Sequence, residues 1–284
     1  MVSSAQSIGK PGCGDLSARH QQRVSTTERL PAMNYFIILA YNEAQNLPRL
    51  FTSLQAIAPS MCTPYKIILV DDGSTDRTVA VAHEFEQTMP ILIVRHPSNQ
   101  GVAQGFRSGF QAAASMASDG DIVFTMEADN TGDLVLLPIM AAKIRSGADV
   151  VLASCYASGG AVRGVSFERK LMSECVNFLM RIIFPIRHCH TYSSFYRAYS
   201  SSVLKRAMAH YGDQFIQSHG FTVAAEILFQ LRRLGAVIDE IPATLRFGER
   251  AGKSKMKVGR TINDYVTFLF REVKKEMAFR RGGR

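Results

Sequence analysis

Three stretches of this sequence put carboxylates where an apolar run gives out. "NYFIILAYNE" reaches Glu43, "YKIILVDD" ends in Asp71 and Asp72, and "DIVFTMEADNTGD" carries Glu127, Asp129 and Asp133. Alternate residues of an extended segment share a side, so Glu127 and Asp129 can converge on one ion. One or two carboxylates, completed by phosphate oxygens of a ligand, are the usual protein share of a Mg2+ or Mn2+ site. A second duty is open to the same acids, because Asp129 or Asp133 can N-cap a helix starting near Leu134. "VDDGSTDRT" is ambiguous in the same way. Asp72–Gly73 signals a turn, and Ser74, Thr75 or Asp76 can cap the next helix, leaving Asp71 and Asp72 at the strand mouth.

These acids need a scaffold. Apolar runs at 34–40, 65–72, 91–96, 121–126 and 149–154 alternate with helical patterns at 42–57, 74–87, 101–117 and 132–147. The alternation predicts an α/β fold, a doubly wound and mostly parallel sheet flanked by helices. Ligands of such sheets gather at the carboxyl ends of strands, which favours a site over a cap. Beyond residue 155 come a largely apolar helix (167–184), a second helix (222–235), a strand-like segment (236–247), a Gly/Lys-rich loop (248–259) and a basic helix. No repeat or long linker divides the chain, so one domain is expected at 31–257. A basic helix and tail (258–284) follow it, and a disordered tail (1–30) precedes it.

Composition narrows the partners. The 284 residues are 46 % apolar and 20 % charged, as in an ordinary globule with a sizeable core. No apolar run approaches the roughly 20 residues of a spanning helix, and the first 30 residues lack a secretory core. Five cysteines without CxxC spacing predict reduced thiols and a cytoplasmic setting. "HCH" at 188–190 is not read as a metal site, since adjacent residues seldom converge on one ion. The net charge of +9 suits nucleic acid, an anionic membrane face or a sugar nucleotide. Nucleic acid is not expected, because the basic residues are dispersed without interleaved aromatics. No GxxxxGK[ST] and no GxGxxG after a strand is present, which weakens P-loop and dinucleotide readings.

"AYNEAQNL", "VDDGSTDRT", "NQGVAQGFRSGF", "MEADNTGD" and "GKSKM" resemble, in order and spacing, the family 2 glycosyltransferases. Within them the likeness is to dolichol- or polyprenyl-phosphate sugar synthases of the GT-A fold, and it runs from about Asn34 to Met256. It implies a nucleotide-sugar half at 31–155 and an acceptor half with a mobile loop at 156–257. Tyr41, Glu43 and Asp72 match contacts to the donor's base and ribose, with Leu39, Val70, Asp71 and Ala128 in the same donor site. Glu127 and Asp129 match the DxD pair that holds Mg2+ or Mn2+ on the donor pyrophosphate. Thr131 stands where relatives often have a further metal ligand, a Gln. Arg250, Ser254 and Lys255 resemble the loop that closes over the phosphates. Arg246 is the alternative match for its arginine, since the loop is one residue short between Arg250 and Gly252. Arg163 and Arg169 lie where such enzymes carry arginines facing the acceptor phosphate, and Arg197 matches a "GFRAY"-like strand. The chain departs from the pattern at Leu39 (usually Pro), Glu127 (usually Asp), Thr131 and Thr191 (often Asp).

The resemblance implies inverting transfer of one sugar from a GDP-mannose- or UDP-glucose-type donor to a polyprenyl phosphate. A phosphate acceptor is already anionic and needs no buried base. A hydroxyl acceptor on a glycan, lipid or protein would need one, and Glu226 is then the candidate, against its alternative as a partner of Arg232 or Arg233. A non-catalytic nucleotide-sugar-binding relative is the third reading, motivated by Glu127 and Thr131. A processive polysaccharide synthase is not expected, since those enzymes carry a Q-x-x-R-W motif and this chain has no Trp. A lipid acceptor calls for a membrane surface or a membrane-protein partner. The 171–186 segment and the basic C-terminal helix are the stretches suited to that contact.

Overall fold

The computed structural model describes residues 32–252 and 258–282. The predicted tail 1–30 lies outside these residues, as do Ser254 and Lys255. The described chain forms β1 (Asn34–Ala40), α1 (Leu47–Ile57), β2 (Tyr65–Asp71), α2 (Thr78–Glu86), β3 (Ile91–Arg95), α3 (Val102–Met116), β4 (Ile122–Glu127), α4 (Leu136–Arg145) and β5 (Val150–Ser154). The second half adds β6 (Ala161–Arg163), α5 (Phe167–Ile183), β7 (Arg197–Ser200), α6 (Ser201–Tyr211), α7 (Val223–Arg233), β8 (Ile238–Pro242), β9 (Thr244–Arg246) and α8 (Val258–Gly282).

Seven strands form one sheet in the order β3-β2-β1-β4-β7-β5-β8. Six run parallel, and β7 is antiparallel to both β4 and β5. The predicted doubly wound sheet is thus present, with one reversed strand that the alternation of runs did not signal. Two more elements went unpredicted, β6 and α6, both short and weakly apolar. The predicted strand 236–247 divides at Ala243. β8 continues the main sheet beside β5, and β9 leaves it to pair with β6 in a separate two-stranded sheet.

The central strands are aliphatic on both faces because helices cover both. Phe36, Ile38, Ile67 and Leu69 pack under α1 and α4, while Ile37, Ile68 and Val70 pack under α3. Burial of each such side chain contributes about 1.5–3 kcal/mol. In α1, Leu47, Leu50, Phe51 and Leu54 recur at helical spacing and are all buried. α3 lies unusually close to the sheet through its glycines. A Cβ at Gly109 would stand 2.6 Å from Ile37 Cγ2. Aromatic stacking joins the outer helices, with Phe184, Phe229 and Phe268 in sequence at 4.4 and 5.8 Å between centroids.

α8 is fastened to α7 by charge as well. Arg233 pairs with Glu272 at 2.8 Å and Arg232 with Glu276 at 3.1 Å, both carboxylates being buried. This topology brings the carboxyl ends of β1, β2 and β4 side by side, at the point where the chain switches from one side of β1 to the other.

Candidate functional site

The loops after β1 and β2 are locked to each other before any ligand is considered. Asn42 adopts a left-handed φ of 53°, and its side-chain oxygen accepts the Thr75 N–H at 2.8 Å. The Asn42 N–H donates to Ser74 Oγ and the Glu43 N–H to Thr78 Oγ1, each at 2.8 Å. Asp76 accepts the Ala44 and Thr78 N–H groups at 3.2 and 2.9 Å. "YNE" and "DGSTD" are therefore two halves of one hydrogen-bonded knot that sets Glu43 at the sheet's rim.

Asp72 fixes the next loop. Its carboxylate accepts the N–H groups of Gln100 and Gly101 at 2.8 Å each, and His96 Nδ1 lies 2.8 Å away. His96 Nε2 in turn meets Ser108 Oγ of α3 at 2.9 Å. Gly73 sits at φ +71° where a Cβ would strike the Ser98 backbone at 2.4 Å, so the two loops touch main chain to main chain. Sequence reasoning missed His96, although its place one residue beyond β3 is itself a strand-end signal.

Glu127 is the last residue of β4, and Asp129 follows two positions on. Asp129 is 3 % exposed, and its two oxygens have different partners. Oδ1 accepts the Thr131 hydroxyl at 2.6 Å and the Thr131 N–H at 3.1 Å, while Oδ2 faces Arg250 Nη1 at 3.2 Å. Thr131 thus orients Asp129 through its hydroxyl, and it lines the cavity beside the acidic pair. Glu127 opens to the cavity beside them. Burial among protein atoms, then the charges of Asp129 and Glu43, push its carboxyl up to about 8, with Arg250 opposing. Glu127 is itself exposed to the water of the cavity, which screens these charges. Neither Asp129 nor Asp133 caps α4 with its side chain; Asp133 Oδ1 accepts the Val135 N–H at 3.2 Å in the turn just before the helix.

A divalent cation fits this donor set. The acids crowd one another and draw a guanidinium to Asp129. Among the described residues no three His, Cys, Asp or Glu groups close a complete metal shell, so a ligand's oxygens would finish the coordination.

A cavity of about 650 Å³ joins these residues. Leu39, Tyr41, Glu43, Val70, Asp72, Glu127, Ala128, Asp129, Thr131 and Arg250 line it, as predicted, and Lys170 does so without having been foreseen. Four predicted residues do not. Asp71 is fully buried behind the rim, accepting the Ser74 N–H and lying 3.4 Å from Arg95 Nε. Arg163 is exposed on β6 and does not line the cavity, although its neighbour Val162 does. Arg197 is 1 % exposed and donates to the carbonyls of Ala224 and Tyr192 at 2.7 and 3.1 Å, bracing β7 against α7. Glu226 is completely buried; it accepts the Gln217 and Ser218 N–H groups at 2.9 and 2.8 Å and pairs with Arg271 at 2.7 Å. Its partner is neither Arg232 nor Arg233, and its oxygens are held off the cavity. Arg169 lies on α5, and its side chain is outside the described residues. Arg246 pairs with Asp133 and Glu249 at 3.5 and 3.7 Å, so Arg250 is the arginine at the acidic pair.

The model of glycosyl transferase family 2 matches residues 35–208, which include every strand-end acid described above. The chain belongs to glycosyl transferase family 2. A dolichol-phosphate mannosyltransferase of Pyrococcus furiosus is 32 % identical over 84 % of the chain and 63 % of that protein. The chain therefore spans less than two thirds of this relative's length. A polyprenol monophosphomannose synthase of Mycolicibacterium smegmatis is 28 % identical over 78 % of the chain and 79 % of that protein. Among solved structures, the glucosyl-3-phosphoglycerate synthase of Mycobacterium tuberculosis, in complex with Mn2+, UDP and glucosyl-3-phosphoglycerate, is similar at a TM-score of 0.58. It is 16 % identical, with 83 % of this chain and 76 % of that one covered. That likeness shows the GT-A fold expected for a family 2 chain. The family's signature here is largely structural, since Asn42, Ser74, Asp76 and Thr78 tie loops together and Glu43, Glu127 and Asp129 face the cavity.

Proposed function

We propose that this family 2 chain transfers a single sugar from a nucleotide-sugar to a polyprenyl phosphate, with inversion and with a divalent cation. The observation that carries this reading is the two-sided cavity. Its strand-end side holds Glu43, Asp72, Glu127 and Asp129, and its other side is walled by Val176 and Leu179 of α5, Val266 and Leu269 of α8, Phe195 and Phe221. A charged diphosphate and an apolar chain are the two chemistries such walls suit. The names of the archaeal and mycobacterial relatives support the same acceptor class.

In the mechanism, Glu127 and Asp129 would hold the cation, Mg2+ or Mn2+, which neutralises charge on the departing nucleoside diphosphate. An oxygen of the acceptor phosphate forms the new bond to the anomeric carbon, and the bond to the donor diphosphate breaks with its electron pair. That oxygen is anionic at neutral pH, so no proton need be removed. The burial of Glu226 supports this acceptor over a hydroxyl. Among the described lining residues Arg250 and Lys170 are the cations, the first at the acidic pair and the second on α5 beside the apolar wall. They would oppose the repulsion between the two phosphate-bearing substrates.

The outer sides of the same two helices suit a membrane surface. Leu171, Phe178 and Ile182 on α5 and Phe270 and Met277 on α8 are exposed, and no helix among the described residues is long and apolar enough to span a bilayer. Arg181 and Arg187 are exposed nearby in the sequence and add the charge an anionic leaflet attracts. The test is transfer by purified protein from labelled GDP- and UDP-sugars to a short polyprenyl phosphate, with and without EDTA. Label entering the lipid phase in a metal-dependent way is expected and names the donor. Its absence for every donor, despite nucleotide binding, would sink the proposal.

A further inference from the structure

Asn46 immediately precedes α1, where asparagine usually serves as a helix cap, yet its side chain makes no capping bond. It is 3 % exposed, and its amide is turned to a residue 205 positions away. Oδ1 accepts the Ala251 N–H at 2.9 Å, and Nδ2 donates to the Ala251 carbonyl at 3.2 Å. One side chain thus satisfies both polar groups of one backbone residue, as a neighbouring strand would. The same Nδ2 lies 2.5 Å from Glu43 Oε2. The Asn46 carbonyl accepts Asn130 Nδ2 at 3.0 Å, and Asn130 holds the left-handed φ of 61° between Asp129 and Thr131. Asn46 therefore touches Glu43, the turn of the acidic pair and the residue next to Arg250.

We propose that Asn46 is a positioning residue that latches Ala251 and so holds the Arg250 guanidinium at Asp129, setting how a cation and a donor diphosphate gain the site. The inference rests on reading Glu127 and Asp129 as the cation's carboxylates. With the latch made, Arg250 competes with a cation for Asp129 until a diphosphate draws the guanidinium to itself. Without it, Arg250 leaves Asp129 more readily and is less well placed for the diphosphate. The two substrates should then respond in opposite directions, which a general loss of structure would not produce.

The experiment compares wild type, Asn46→Ala, Arg250→Ala and the double variant. Mn2+ binding without nucleotide is measured by calorimetry, and nucleotide-diphosphate binding is measured at saturating Mn2+. Trypsin cleavage after Arg250 gives a readout independent of activity. Asn46→Ala is expected to tighten Mn2+, weaken the diphosphate and speed the cleavage, each by about tenfold or less, as for one or two lost neutral hydrogen bonds. In the Arg250→Ala background the same substitution should leave Mn2+ affinity unchanged, because that effect runs through the guanidinium. Additive effects, or cleavage unchanged in a folded variant, would overturn the proposal. Hydrogen exchange of the wild-type Ala251 amide needs no variant. Protection is expected although Ala251 is exposed, and exchange at the open-chain rate would also overturn it. All of these arms are independent of the acceptor, so failure to find lipid transfer would leave them standing.

Discussion

Thr131 donates its hydroxyl to Asp129 Oδ1 at 2.6 Å, which turns the other oxygen, Oδ2, toward the cavity and Arg250. The pair separates holding a carboxylate from using it. Asp129→Ala should lower transfer on the order of 10²–10³-fold, and EDTA should do the same to wild type. Thr131→Val should instead raise the Mn2+ concentration for half-activation by about tenfold, with kcat at saturating metal close to wild type. Metal titrations of initial rate distinguish the two, and an equal fall in kcat for both would contradict the division of roles.

Glu127 gives the site a pH dependence whose sign follows from its raised carboxyl. The folded value of about 8 exceeds the ordinary 4.5, so the protonated form contributes stability that is complete below about 4.5. That contribution is lost as pH rises toward 8. A cation must displace the proton, so Mn2+ affinity should rise across the same window and level off above it. Thermal melting without metal, and Mn2+ titrations from pH 5.5 to 8.5, check both slopes. Glu127→Gln should flatten the melting slope while reducing metal binding.

Glu226 should behave as a structural carboxylate. Glu226→Gln removes the charge facing Arg271, at a cost on the order of 1–3 kcal/mol, since the partly exposed Arg271 keeps Glu272 at 3.3 Å. Transfer by the folded fraction should persist. Urea midpoints with specific activity at low denaturant measure this, and abolished activity at unchanged stability would restore the role of base.

The outer face of α5 should matter for long acceptors alone. Phe178→Glu with Ile182→Glu places charge on an exposed apolar face that does not line the cavity. Flotation with vesicles containing anionic lipid should fall, as should transfer to a long-chain acceptor embedded in them. Transfer to a short, water-dispersed polyprenyl phosphate should stay near wild type. Equal loss on both acceptors would place the defect in the cavity instead.

The outcome for individual residues shows why some were legible from sequence. Glu127, Asp129 and Asp72 were read correctly as cavity-facing because each ends a strand of unmistakable apolar pattern, and strand ends are where such sheets bind. Asp71 shared that position and failed, since one step along a strand turns a side chain to the other face and into the interior. Arg197 and Arg163 looked alike as arginines that the resemblance placed near the substrates. Burial put the first among carbonyls of α7 and left the second outside, a choice made by packing between distant segments.

The alternation of strands and helices, the parallel sheet, and the acids at the ends of β1, β2 and β4 all follow from the order of residues alone. Those features are periodic or local, and short-range rules reach them. Packing of the folded chain was needed to run β7 antiparallel between β4 and β5, to pair Glu226 with Arg271, and to join Asn46 to Ala251 across 205 positions. Each depends on which remote segment arrives at a given surface. A single asparagine or glutamate offers the same donors and acceptors to any neighbour, and the packed fold alone selects which one it meets.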